Sequence, residues 1–237
     1  MKSILVTGAS SGIGRATAEE FLRAGWRVGL FARRADRLAR LAQENANAVA
    51  LPADVTDAVA MEAAFDRFME RTGRLDVLFN NAGIFGPSGP VDEIQPEAFD
   101  EVLAVNVRGM FIAARLAFSQ MRRQTPQGGR IINNGSLSAH SPRPCSVCYT
   151  TSKHAITGLT RSLSLDGRPF GIACGQIDIG NAESELVREL KKSQPDMPTM
   201  AVDDAARSVL HMADMPKEAN VQFMTVMATK MPYVGRG

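Results

Sequence analysis

The sequence has little of several features that define whole classes of protein. It contains 3 cysteines in 237 residues, too few for the disulfide framework of a small secreted domain, so we expect a protein of the reducing cytoplasm. No apolar run approaches the roughly 20 residues that a membrane helix needs, and the short apolar stretch at residues 4–6 is not expected to be a signal peptide. The formal net charge of +2 is spread along the chain, which argues against nucleic acid or an anionic membrane as partner.

What the sequence does contain is an alternation of strand-like and helix-like stretches. Apolar runs predict strands at residues 3–7, 27–32, 48–51, 75–79, 130–134, 172–177 and 222–228. Helical periodicity predicts helices at residues 15–24, 57–71, 97–124, 149–166 and 201–214. Because strands that alternate with helices form parallel sheets, we predict an α/β fold: a doubly wound, Rossmann-like parallel sheet of about seven strands with helices on both faces. No repeat or linker divides the chain, so we expect residues 1–237 to form a single domain.

A glycine-rich turn follows the first predicted strand and opens the first helix, with the spacing Gly-x3-Gly-x-Gly. Glycines let the backbone approach a pyrophosphate closely, and the free N–H groups of a helix N-terminus attract its charge. We therefore predict a dinucleotide-binding turn; the alternative is a turn with only a structural role. The cofactor contacts predicted here are Gly8, Ser10, Ser11, Gly12, Ile13 and Gly14.

The end of the second predicted strand indicates which dinucleotide is preferred. An NAD-binding chain commonly places an acidic residue there for the ribose 2′-hydroxyl, but this sequence has Ala32 followed by Arg33 and Arg34. A guanidinium pairs with a 2′-phosphate, which an acidic side chain would repel. We predict NADP(H) as the preferred cofactor, with NAD(H) possible; the alternative is that both arginines are solvated loop residues.

Further cofactor contacts are predicted after the third and fourth strands. Asp54 can accept a hydrogen bond from the adenine amino group or cap the helix at 57–71, and these two roles are compatible. Small residues after the fourth strand would let the chain pass close to the adenosine ribose. The contacts expected from these two places are Asp54, Val55, Asn80, Ala82 and Gly83.

A serine, a tyrosine and a lysine form the candidate catalytic group. Tyr149 and Lys153 are four residues apart at the start of a predicted helix, so they lie on one face of it. A cation about 4 Å from a phenol lowers its pKa by at most about three units, which suits proton transfer. Ser136 can hold a carbonyl oxygen beside that phenol. Taken alone, the tyrosine and lysine are equally consistent with an ordinary surface pair.

In combination, these motifs resemble the short-chain dehydrogenase/reductase family in its single-domain form, over nearly the whole chain. The resemblance is carried by the turn at residues 7–14, by Asn-Asn-Ala-Gly at 80–83, and by Asn106, Ser136, Tyr149 and Lys153 in this order and spacing.

The resemblance implies an NAD(P)-dependent oxidoreductase that interconverts carbonyls and alcohols by hydride transfer. It implies that Tyr149 is the general acid and base and that Ser136 orients the substrate oxygen. Lys153 would bind the nicotinamide ribose and lower the pKa of Tyr149. Asn106 would hold a water molecule that links the lysine to solvent.

The chain departs from the family pattern after the sixth predicted strand, where a proline is missing. Ile179, Gly180 and Ser184 are nevertheless predicted to contact the cofactor, the last through its hydroxyl. The polar sequence at residues 181–200, interrupted by two prolines, is predicted to be a mobile lid over the substrate, and we call it the lid segment.

The expected substrate pocket is mixed and mostly small, built from the region after Ser136, the loop near residue 85 and the lid segment. Since it shows no clear anion clamp, we expect a lipophilic or acyl ketone as the small-molecule substrate. Cys145 and Cys148 are interpreted as residues at the pocket entrance, with a redox or metal role as the alternative. No recognised metal-ligand spacing is present, and His140 is expected on the pocket wall.

Family members commonly form dimers or tetramers through their two long helices, here about 97–124 and 149–166, so the resemblance implies a homodimer or homotetramer. The alternative function is a non-catalytic binding protein that senses dinucleotides on the same scaffold, since fold does not imply function. The presence of Asn106, Ser136, Tyr149 and Lys153 together favours the enzyme, because a sensor needs no acidified phenol.

Overall fold

The computed structural model describes residues 1–234, apart from the side chains at positions 186 and 193. Its strands are β1 (Ser3–Thr7), β2 (Arg27–Ala32), β3 (Ala48–Pro52), β4 (Val77–Asn80), β5 (Gly129–Asn134), β6 (Ile172–Ile179) and β7 (Phe223–Val226). They form one parallel sheet in the order β3-β2-β1-β4-β5-β6-β7. The predicted fold class is confirmed.

Helices cover both faces of the sheet. They are α1 (Gly12–Arg23), α2 (Ala35–Glu44), α3 (Ala58–Thr72), α4 (Pro96–Leu103), α5 (Met110–Arg123), α6 (Val147–Gly167), α7 (Glu185–Ser193) and α8 (Val202–Asp214). One apolar core lies between the sheet and helices α1, α2 and α8. A second core lies on the opposite face, against α3 and α5.

Strand β1 shows why this sequence forms a central strand. All five of its residues are buried, and successive side chains point to opposite faces. Ile4 and Val6 belong to the first core and Leu5 to the second. A continuous apolar run, rather than an alternating one, is what a strand covered on both faces requires.

The order of the strands places the site. The chain runs outward from β1 through β2 to β3 and then returns to β4, which pairs with β1 on its other side. At such a switch point, the loops beyond the carboxyl ends of the two central strands separate and leave a crevice.

The single long helix predicted at 97–124 is interrupted. A π-helical segment, Ala104–Gly109, lies between α4 and α5, and it contains Asn106. A π-bulge accommodates one extra residue without ending the helix, so the apolar periodicity continues through it and the sequence pattern does not reveal it.

Among the described residues, the stretch Pro96–Arg123 has the length and apolar composition to cross a membrane, with a mean hydropathy of 1.4 in its 18-residue window. This corrects the expectation that no stretch comes close to that length. A core helix passes the same test, and 44% of this window is buried inside the protein, so the finding is weak evidence for a membrane span.

Two further details differ from the sequence predictions. Helix α3 is capped by Asp57, whose side chain accepts from the N–H groups of Val59 and Ala60 at 3.0 Å each, so the predicted capping role of Asp54 is wrong. The lid segment contains a helix, α7, that was not predicted. Its first N–H groups are capped by Ser184, which accepts from Val187 N.

Candidate active site

A cavity of about 680 Å³ opens at the carboxyl ends of the central strands. Seventeen of the predicted site residues line it: Gly8, Ser10, Ser11, Gly12, Ile13, Arg33, Arg34, Asp54, Val55, Ala82, Gly83, Ser136, Tyr149, Lys153, Ile179, Gly180 and Ser184. Residues from both ends of the chain therefore converge on one crevice, as the sequence predicted.

Three predicted site residues do not line the cavity. Gly14 lies inside the first turn of α1, where an added Cβ would meet Gly8 O at 2.3 Å, so its small size serves the packing of the turn. Asn80 is buried and donates to Met110 O at 3.0 Å and to Asn133 Oδ1 at 3.2 Å. The third is Asn106.

Asn106 connects the π segment to the cavity wall. Its Oδ1 accepts from Ile84 N at 2.8 Å, and its Nδ2 donates to Ile84 O at 2.8 Å and to Ser152 Oγ at 3.0 Å. Both amide hydrogens are thus used within the protein. Through these bonds Asn106 ties the loop at residue 84 to α6, and the expected water link stays a prediction.

The glycine turn leaves the N-terminus of α1 open toward the cavity. Gly8 and Gly12 have φ of 72° and 52°, a conformation that favours glycine. No side chain caps the first N–H groups of α1, so they remain available to an anion. The predicted phosphate site therefore has both the room and the donors that it needs.

The guanidinium of Arg34 lies over this turn. It donates to Ser10 Oγ at 3.1 and 3.0 Å and to Ser11 Oγ at 2.5 Å. Its Nη1 lies 3.6 Å from a carboxylate oxygen of Glu185, the first residue of α7, and Arg37 donates to the same carboxylate at 2.8 Å. Together the two arginines lower the pKa of Glu185. Sequence reasoning placed Arg34 correctly but missed this acidic partner from the lid segment.

Arg33 has a looser partner. Its Nη1 lies 3.8 Å from Asp54 Oδ2, and Asp54 also accepts two hydrogen bonds of 2.8 Å from Thr56. Burial works to raise the pKa of Asp54, but the bonds from Thr56 and the charge of Arg33 outweigh it, so the pKa is lowered. Asp54 is therefore a carboxylate at the adenosine end of the cavity.

Tyr149 and Lys153 lie side by side on α6, with the lysine Nζ 5.4 Å from the centre of the tyrosine ring. Phe85 packs edge-on against that ring at 4.6 Å. Lys153 is 4% exposed and donates to Asn134 O at 2.8 Å. Burial of its amine lowers the pKa to about 8, against the opposing charge of Asp178.

The expectation that the lysine lowers the pKa of the phenol is not supported by these contacts. Burial raises the pKa of Tyr149 above its ordinary value; the nearby hydroxyl of Ser136 and the positive charge of Arg143 oppose this rise, and the negative charge of Asp178 adds to it. The positive charge that opposes the rise is that of Arg143, and the amine of Lys153 lies 5.4 Å from the ring centre.

A buried carboxylate beneath Ser136 was also missed from the sequence. Asp178 on β6 is 1% exposed and accepts from Ser136 N and from Gln176 Nε2 at 2.8 Å each. His140 Nε2 lies 2.8 Å from its other oxygen. Asp178 thus fixes the backbone that carries the candidate substrate-orienting hydroxyl. His140 was expected on the pocket wall, but it is exposed and does not line the cavity.

The two cysteines before Tyr149 differ in environment. Cys145 is exposed and Cys148 buried, and both are free thiols. Cys145 has φ of 57°, which is uncommon for a residue other than glycine. Within the described part of the chain, no group of three or more His, Cys, Asp or Glu side chains is placed to hold a metal ion.

Comparison with known proteins gives consistent matches. A family model described as short chain dehydrogenase matches residues 2–195. The 2-(R)-hydroxypropyl-CoM dehydrogenase of Xanthobacter autotrophicus is 38% identical over 200 residues, which cover 81% of this chain and 79% of that protein.

Solved structures match nearly the whole fold. The 3-ketoacyl-(acyl-carrier-protein) reductase from Brucella melitensis, complexed with NADH, has a TM-score of 0.90 at 26% identity, and the match covers 98% of both chains. A protein named ElxO, with NADP bound, has a TM-score of 0.86 at 25% identity over 95% of this chain and 96% of its own.

Proposed function

Because the chain belongs to the short-chain dehydrogenase/reductase family, we propose that it is an NADP(H)-dependent oxidoreductase that interconverts a carbonyl and an alcohol, with Tyr149 as general acid and base. The observation that carries the proposal is the convergence of Ser136, Tyr149 and Lys153 on the cavity that also receives the open N-terminus of α1. The names of the two relatives, a hydroxypropyl dehydrogenase and a ketoacyl reductase, support the hydroxyl and carbonyl chemistry.

The residues present fit a nicotinamide dinucleotide. The uncapped N–H groups of α1 would hold the pyrophosphate. A Cβ added at Gly12 would lie 3.0 Å from Ser184, so a larger residue there would narrow the space between the glycine turn and the lid segment. Asp54 would bond the adenine, and Arg33 and Arg34 would pair with a 2′-phosphate. Similar structures hold NADH in one case and NADP in another, so the preference for NADP(H) rests on these arginines.

A bound nicotinamide would supply the hydride for a carbonyl or accept it from an alcohol. Ser136 and Tyr149, which line the same cavity, would both donate to the substrate oxygen. During reduction Tyr149 would pass its phenolic proton to the developing alkoxide, and during oxidation the tyrosinate would take the alcohol proton. Lys153, which donates to Asn134 O, would bond the nicotinamide ribose.

The test is the substitution Tyr149→Phe, which removes one oxygen and leaves the edge-on packing against Phe85 in place. We expect kcat to fall by about a hundredfold to ten-thousandfold, the range of a lost general acid–base group, while the dissociation constant for NADPH stays within about threefold. Turnover is followed by nicotinamide absorbance with a panel of ketones and alcohols, using NADPH and NADH in parallel.

The matched control is Tyr233→Phe, since the chain has 2 tyrosines and the second also lines the cavity. It should retain most of the activity. Retention of more than a tenth of the wild-type kcat by Tyr149→Phe would contradict the assigned role. Tight dinucleotide binding without turnover of any substrate would instead favour the sensing function.

A further inference from the structure

A further cation, Arg143, lines the cavity. Arg143 lies in the loop between β5 and α6, is half-buried and lines the same cavity as Ser136 and Tyr149. Within the described residues its guanidinium forms no hydrogen bond or ion pair; its one interaction is the electrostatic effect on Tyr149.

The other arginines that line the cavity lie near the glycine turn, where each has a polar partner. Arg33 faces Asp54 and Arg34 bonds Ser10, Ser11 and Glu185, where the adenosine half of a dinucleotide would lie. Arg143 instead lies near enough to the phenol for its charge to act on it. It therefore belongs to the part of the cavity where the substrate oxygen would be held.

The acidic side chains of the cavity do not neutralise Arg143. Glu185 pairs with Arg34 and Arg37, and Glu189 pairs with Lys192 at 2.7 Å; Glu101, which also lines the cavity, lies beyond ion-pair distance. A guanidinium keeps its charge at any accessible pH, and a half-buried charge without a partner is unfavourable. The site consequently carries a fixed positive charge that an anionic ligand would neutralise.

We propose that Arg143 is the anion-recognition residue of the substrate site and that the substrate is a carbonyl compound, or its alcohol, that carries an oxyanion group: a carboxylate, sulfonate or phosphate. This rests on the proposed oxidoreductase function and replaces the lipophilic ketone expected from the sequence. The guanidinium fork bonds two oxygens of such a group at once. Ser138 and Ser141 also line the cavity.

The experiment compares matched substrates that differ only in charge: a series of short keto acids against their methyl esters, and the corresponding keto sulfonates and keto phosphonates. A charge-assisted hydrogen bond contributes about 1.5–3 kcal/mol, so the wild-type kcat/KM should favour the acid over its ester by about tenfold to a hundredfold. The three oxyanion series identify which group is preferred.

The variant Arg143→Gln should lose that preference through a raised KM for the anionic substrates, so that the acid and its ester are turned over with similar kcat/KM. Arg143→Lys should recover part of it, because the charge remains without the fork. Since Arg143 lowers the pKa of Tyr149, removal of its charge should also move the pH profile for the esters upward. Arg67→Gln, on an exposed face of α3, is the control for loss of a positive charge.

The outcomes separate this inference from the proposed function. If the wild type turns over no member of any series with either cofactor, the oxidoreductase function fails. If it reduces the esters but shows no preference for the acids, or if Arg143→Gln keeps the preference, only the role of Arg143 is overturned. The same holds if Arg143→Gln weakens NADPH binding tenfold and leaves the preference intact, because Arg143 would then be a cofactor contact.

Discussion

Lys153 is the residue at which function and stability conflict most directly. It is 4% exposed, and burial lowers the pKa of its amine from 10.5 to about 8. A pKa shift of that size means that burial of the charged amine costs about 3 kcal/mol on folding. The hydrogen bond to Asn134 O offsets about 1 kcal/mol of this cost. The lysine therefore destabilises the folded protein at neutral pH.

We therefore expect Lys153→Met to raise the free energy of unfolding by about 2 kcal/mol at pH 7 while activity is lost. The pH dependence has a definite sign. Between about pH 8 and 10.5 the unfolded lysine binds more protons than the folded one, so wild-type stability rises with pH there and the advantage of the variant shrinks. Urea unfolding at pH 7 and pH 9.5 measures both.

The control for this prediction is Lys192→Met, since Lys192 is 72% exposed and its substitution should change stability by less than about 0.5 kcal/mol. A Lys153→Met variant less stable than the wild type at pH 7 would show that the bond to Asn134 outweighs the cost of burying the amine.

At the residue scale, spacing predicted the members of the site better than their electrostatics. Tyr149 and Lys153 were placed on one face because a helix fixes where residues four apart lie. Asp178 was not predicted, since within an apolar strand its side chain direction depends on register with β5. Arg143 was expected among the pocket residues after Ser136 but without an anion-binding role, because a loop sequence does not fix where a long side chain points.

At the scale of elements, α7 and α2 are joined across the cofactor end of the cavity. Glu185 at the start of α7 bonds Arg37 and approaches Arg34, while the lid segment closes on itself where Glu183 N donates to Met200 O at 2.9 Å. The carboxylate of Glu185 lies beside Arg34, one of the two guanidinium groups proposed to receive a 2′-phosphate. An incoming phosphate therefore competes with this contact.

From this competition we expect Glu185→Gln to tighten NADPH binding by about threefold to tenfold and to leave NADH binding nearly unchanged. The reason is electrostatic: the variant removes a negative charge beside the 2′-phosphate and frees Arg34 and Arg37. Titration of each dinucleotide, followed by nicotinamide fluorescence, gives the two dissociation constants without need of a substrate.

Glu189→Gln is the matched control on the same helix, because Glu189 pairs with Lys192 and not with either arginine. It should leave the ratio of the two constants unchanged. Equal tightening of both cofactors by Glu185→Gln would mean that the residue acts on the position of α7 and not on the phosphate.

The sequence predicted most elements, because most strands have an apolar centre and each long helix has one apolar face. It missed α2 and α7, both of which are rich in charged residues. It also missed the π segment around Asn106, since one extra residue in a turn leaves helical periodicity nearly intact. Predicted boundaries differ from the structure by a few residues, as expected where ends are set by capping contacts such as that of Asp57.

At the scale of the whole molecule, the order of the strands decides where chemistry can occur. The reversal between β1 and β4 brings the glycine turn, the end of β5 and the start of α6 to one crevice. Alternation of strands and helices sufficed to predict this, because the connections of parallel sheets are strongly constrained. The oligomeric state stays a prediction, since it depends on which surface another copy would cover.

The two long helices each leave a large apolar side chain in solvent: Phe111 on α5 is 51% exposed and Leu165 on α6 is 59% exposed. Burying each side chain against a second copy of the chain would contribute about 1–2 kcal/mol to association, in line with the expected homodimer or homotetramer.

We predict that the double variant Phe111→Glu, Leu165→Glu dissociates to a particle of 25.5 kDa, measured by gel filtration with light scattering. Val59→Glu is the control, because Val59 is 78% exposed on α3, away from these helices, and should leave the assembly intact. A wild-type mass equal to one chain would contradict the predicted assembly, and a double variant that keeps the wild-type mass would exclude these two side chains as its contact.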